Sequence, residues 1–89
     1  MVKSVYTDRY SAIRSLLIEE RNAAGLTQQA LADKLGRPQS YVSKFELGER
    51  RLDVVEFLEV LHSIGVEPVS FLAKIENYHT NEAQARKRR

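Results

Sequence analysis

Residues 28 to 48, QQALADKLGRPQSYVSKFELG, decide the fold. Leu31, Ala32 and Leu35 recur at the spacing of one helix face, and Gly36 follows them, where a left-handed residue ends a helix at least cost. Arg37 and Pro38 come next; proline fixes its own φ and lacks an N–H, so it suits the first turn of a new helix better than its middle. A second helix starting at Pro38 or Gln39 puts Val42 and Phe45 on its inner face at i and i+3. Its outer face then carries Gln39, Ser40, Ser43 and Lys44.

An ordinary helical hairpin packed into a core would satisfy the same apolar spacing. The outer face argues against it, because glutamine, serine and lysine together offer donors and acceptors for base edges and phosphates. Two short helices joined by a tight glycine-containing turn describe a helix-turn-helix, whose second helix lies in the major groove of DNA.

Outward from this stretch the chain reads as all-α, with five helices and no sustained strand alternation. The first is expected to start after a cap at Thr7 or Asp8 and run to about Ala24, with Ile13, Leu16 and Leu17 inward and Gly25 as its stop. Thr27 caps the second; Ala30 three residues on removes the reciprocal half of a capping box. The third covers roughly Gln39 to Glu46. Asp53 and Glu56 form a D-x-x-E start for the fourth, whose buried side is predicted as Val54, Phe57, Leu58, Leu61 and Ile64 before Gly65 closes it. Pro68 opens the fifth, returning Phe71, Leu72 and Ile75 to the core.

Length and composition narrow the classes. The 89 residues suffice for one domain with one core. The absence of cysteine removes disulfides and thiolate metal sites. No apolar run is long enough for a bilayer, and MVKSVYTDRY lacks a signal peptide's apolar stretch, so a soluble cytoplasmic protein is the expectation. No repeat or low-complexity segment stands out.

The net charge of +2 is not a nucleic-acid signal, because without Arg86, Lys87, Arg88 and Arg89 ten basic residues face twelve acidic ones. Distribution carries more information: Arg37, Lys44, Arg50 and Arg51 fall in or just beyond the two-helix motif, whereas Glu56, Glu59, Glu67 and Glu76 lie downstream. A local basic surface on an acidic domain orients a protein on a polyanion without general stickiness. The domain is drawn at residues 1–76, and residues 77–89, NYHTNEAQARKRR, as a polar, basic tail through part of which the fifth helix could continue and which is expected to be disordered at its end. Its RKRR terminus has three readings: a flexible phosphate-binding arm, a solvated end without a role, or a remnant of cloning.

At this point the chain resembles the Cro and phage-repressor (Xre-type) family of bacterial and phage transcription regulators over about residues 10 to 75. LTQQALADKLG, SYVSKFELGER and LDVVEFLEVLHSIGV carry the resemblance. It implies a compact five-helix, lambda-repressor-like DNA-binding domain that acts as a homodimer on double-stranded DNA, in the cytoplasm and at the nucleoid. Carried over residue by residue, it implies a phosphate contact for Gln28 at the N-terminus of the second helix, and base-reading or flanking positions for Gln39, Ser40, Ser43 and Lys44. Tyr41 matches a position that touches the sugar-phosphate backbone. Arg50 and Arg51 match a loop that clamps phosphates, and Arg37 in the turn is a further phosphate candidate. Pro38 at the start of the third helix departs from several family members. The resemblance also pairs Glu46 with Arg21, a structural ion pair between the first helix and the third.

Catalysis is not expected. Ser40 and Ser43 have no histidine base nearby in sequence, the glycines make no phosphate loop, and His62 and His79 are too far apart for a metal site. No cofactor is implied. The resulting expectation is a sequence-specific regulator, a repressor or autoregulator, on a two-fold operator. Two rivals are an antitoxin-like module that also binds a toxin partner, and a protein-interaction domain that reuses the fold without DNA.

Overall fold

The structure, a computed structural model, describes the backbone of residues 2–87 and the side-chain surroundings of residues 9–77. Five helices follow one another: α1 (Val2–Ala23), α2 (Gln28–Leu35), α3 (Gln39–Leu47), α4 (Val54–Ile64) and α5 (Pro68–Lys87). There is no strand among the described residues.

Local chemistry sets the boundaries of the central helices. The Thr27 hydroxyl accepts from Ala30 N at 3.0 Å and caps α2. Gly36 ends it at φ 67°, and the Arg37 N–H turns back to the Ala32 carbonyl at 3.0 Å. Pro38 stands extended just before α3 and gives it no side-chain cap; its carbonyl accepts from Tyr41 N. At α4 the capping box is complete: Glu56 N donates to Asp53 Oδ1 at 2.8 Å and Asp53 N to Glu56 Oε1 at 3.0 Å.

The core draws on every helix. Leu17 of α1, Leu31 and Ala32 of α2, Val42 and Phe45 of α3, Val60 and Leu61 of α4, and Phe71 and Ile75 of α5 form one buried cluster. Ala32 is small and wholly buried, which lets α2 and α3 pack closely across the turn. Two ion pairs tie α5 to α1, Arg9 with Glu76 at 3.1 Å and Lys74 with Glu20 at 2.6 Å. No helix among the described residues is long and apolar enough to cross a membrane.

Helix α5 continues past the boundary drawn at residue 76 as far as Lys87, as the sequence allowed, and Arg88 and Arg89, at the end where disorder was expected, lie outside the described residues. Two expectations need correction. The first helix starts at Val2, so Thr7 and Asp8 lie within it instead of capping it; nothing in VKSVYTD interrupts helical geometry. Val54, Leu58 and Leu72, expected inside, are 74%, 36% and 50% exposed. The buried stripe of α4 runs through Val60 and Leu61 with Phe57 and Ile64 beside it, and that of α5 through Phe71 and Ile75. Val54, Leu58 and Leu72 flank these stripes around an open apolar groove of about 430 Å³ between α1, α4 and α5.

Candidate nucleic-acid interface

Helix α3 buries Tyr41, Val42, Phe45 and Glu46. That orientation leaves Gln39, Ser40 and Lys44 exposed and Ser43 half-buried at the flank. The phase follows from the sequence, since residues 41, 42, 45 and 46 fall on one side of a 3.6-residue helix.

An acid buried on the inner face of α3 needs partners, and Glu46 has them. Its Oε2 accepts from Arg21 Nε at 2.7 Å, and its Oε1 from Arg21 Nη2 at 3.0 Å and Gln28 Nε2 at 2.8 Å. Arg21 spends its remaining Nη1 on the Leu26 carbonyl at 2.9 Å and the Asn22 side chain at 3.3 Å. The fork-to-carboxylate geometry is the stronger, more directional form of ion pair. Gln28 then accepts from Gln39 Nε2 at 2.6 Å. A continuous polar chain thus runs from α1 through α3 and α2 to the exposed amide that opens α3.

Arg14 is a residue that sequence reasoning missed. Its Nη1 donates to the Glu46 carbonyl at 2.8 Å, so a positive charge satisfies an orphan carbonyl at the C-terminal end of α3. Arg14 stands two turns before Arg21 on the same face of α1, a spacing visible in the sequence. It also lies against Gly48, where an added Cβ would sit 3.0 Å from Arg14 Nε.

The basic residues divide into two groups. The guanidinium carbons of Arg37 and Arg50 lie 4.6 and 4.9 Å from the centroid of the Tyr41 ring, which meets Phe45 edge-on at 5.7 Å. Tyr41 is buried, so its ring serves as a platform for the two arginines. Burial pushes its hydroxyl above the ordinary value, with Glu56 adding to the shift and both arginines opposing it. Arg50 is committed further: Nη1 and Nη2 donate to the two oxygens of Glu56 at 3.1 and 2.6 Å. That hydrogen bond, helped by the Asp53 N–H, holds the Glu56 carboxyl down at about 2. Arg51 points elsewhere, 4.4 Å over the ring of Tyr10. Among the described residues Arg37, Lys44 and Arg51 have no carboxylate partner in the ion pairs.

The structure therefore gathers Gln28 with Gln39, and Arg37 with Tyr41 and Arg50, while Ser40 and Lys44 share the open side of α3 and Ser43 stands half-buried at its flank. Two short helices held at a tight turn, the second with a polar face turned outward, define a helix-turn-helix protein. Residues 17–71 match the Helix-turn-helix family. Among solved structures, an XRE-family like protein from Pseudomonas syringae pv. tomato str. DC3000 is 51% identical, with 86% of this chain and 94% of that one covered and a TM-score of 0.82. No curated protein matches. The chain belongs to the XRE-type helix-turn-helix family of transcription regulators.

Proposed function

We propose that the protein is a sequence-specific DNA-binding regulator, a repressor or autoregulator, that reads the major groove with α3. The observation that carries this reading is the Gln28–Gln39 hydrogen bond, which fixes a bidentate-capable amide at the exposed start of α3 beside Ser40 and Lys44. A glutamine held in this way pairs with adenine, and lysine reaches guanine acceptors. Arg37 and Arg51 supply phosphate contacts at either side, and the N-terminus of α2 offers N–H groups to another phosphate. The work is binding, and the fold is one that generally serves binding without catalysis.

The protein acts as a homodimer, with a second copy covering the groove edged by Val54, Leu58 and Leu72. Leu52 and Asp53 of that groove directly follow Arg50 and Arg51, so copies joined there keep both α3–α4 loops on one face. Two α3 helices then meet half-sites about one helical turn apart.

Selection of bound sequences from a random DNA library tests the reading. Enrichment of a two-fold motif with half-sites roughly 10 bp apart is the expected result. Recovery of no sequence above bulk DNA sinks it. Leu58→Glu with Leu72→Glu should give monomers in sedimentation and weaken binding to the full site more than to a half-site.

A further inference from the structure

Arg50 and its neighbour Arg51 lie in the same loop but meet different fates. Arg51 has no carboxylate partner among the described ion pairs, whereas both terminal nitrogens of Arg50 are forked onto Glu56. The Glu56 side chain is 14% exposed and that of Arg50 38%, so the acid is set back and the guanidinium faces outward. Arg50 Nη1 also reaches the Arg51 carbonyl at 3.3 Å. The Tyr41 ring and the capping box at Asp53 keep both partners in register.

We propose that Glu56 is an internal competitor for Arg50, occupying the guanidinium that this loop would otherwise give to a DNA phosphate. The proposal rests on the DNA-binding reading above. A phosphate presents two oxygens to a guanidinium fork much as a carboxylate does, so the two acids compete for one geometry. Glu56 cannot leave, because its Oε1 also accepts the Asp53 N–H that starts α4. The pair therefore lowers affinity for every phosphate backbone alike. Operator and bulk DNA lose the same contact, so their affinity ratio is kept while the absolute hold on bulk DNA, which is mostly phosphate contact, falls. Arg37, over the same tyrosine but without an acid, is left as the phosphate ligand that needs no exchange.

Glu56→Gln separates the charge from the cap, because glutamine at this position still accepts the Asp53 N–H. Fluorescence anisotropy on a random-sequence duplex, across a series of salt concentrations, compares wild type, Glu56→Gln, Arg50→Met and the double variant, each checked for folding by circular dichroism. Glu56→Gln is expected to bind several-fold tighter at low salt, with the slope of log affinity on log salt steeper by roughly 0.9 per copy. The same change made on Arg50→Met should alter neither affinity nor slope. A gain that persists without Arg50 is long-range charge removal and overturns the proposal. Weaker binding by Glu56→Gln also overturns it, since Glu56 would then be presenting Arg50 to the phosphate. If the folded wild type binds no duplex at any salt, the DNA reading falls and the proposal with it.

Discussion

Gln28 and Gln39, eleven residues apart on consecutive helices, share a 2.6 Å hydrogen bond, and Gln28 in turn donates to the buried Glu46 at 2.8 Å. The first side chain of α3 is thus oriented from behind by a residue anchored to the ion pair beneath it. On the proposed DNA-binding reading, Gln28→Ala should relax preference at the base pair assigned to Gln39, by about 1–3 kcal/mol of discrimination. Gln39→Ala should relax the same position, and the double variant little more than either single one. Competition binding against all four bases at each operator position measures this. Loss of preference at two different positions would show that the glutamines act separately.

The Arg21–Glu46 pair carries a different consequence, because both partners are buried. Removing Arg21 takes the opposite charge from a buried Glu46 and leaves it only the Gln28 amide as a side-chain partner, at a cost of roughly 3–5 kcal/mol. Arg21→Ala should therefore lower the melting temperature by more than about 10 °C, while the exposed Lys44→Ala stays within about 0.5 kcal/mol of wild type. Calorimetry on both variants decides; equal melting temperatures would remove the structural role of the pair.

Much of this was legible in the sequence where short-range rules apply. The Gly36 turn, the Thr27 cap, the D-x-x-E box and the inner phase of α3 all follow from spacings of four residues or fewer. Long-range packing was less accessible. Val54, Leu58 and Leu72 are apolar at helical spacing, but spacing does not say which flank of a stripe a neighbouring helix covers, and the groove leaves theirs open. The Arg50–Glu56 fork was hidden for another reason. Its six-residue separation spans a loop and a helix start, where no periodic rule applies. The helical course of residues 77–87 shows that polar composition without Gly or Pro does not itself stop a helix.

Gly48 makes the contact between α1 and the end of α3 testable. It sits at φ 82°, and an added Cβ would meet Arg14 at 3.0 Å, whereas Gly65 at φ 94° faces open space. Both substitutions by alanine incur the left-handed cost of roughly 1–2 kcal/mol. Gly48→Ala should cost more than Gly65→Ala, and the excess should vanish on an Arg14→Ala background, read by urea denaturation. An excess that survives there would place the strain in the backbone alone.

Acid should unfold the protein partly through Glu56. Its folded carboxyl titrates at about 2 against an ordinary 4.5, chiefly because Arg50 and the Asp53 N–H bind the charged form. A carboxyl depressed by folding contributes its stability in full above the unfolded value and loses it as pH falls through the folded one. The contribution therefore fades between about 4.5 and 2. Glu67, held down by hydrogen bonds from Ser70, adds a decline of the same sign. Glu56→Gln has no carboxyl to protonate, so the variant should lose less stability than wild type between neutral pH and pH 3, whatever its starting value. Denaturation midpoints measured across that range test this, and parallel curves for the two proteins would show that the Arg50–Glu56 fork survives unfolding or does not form in solution.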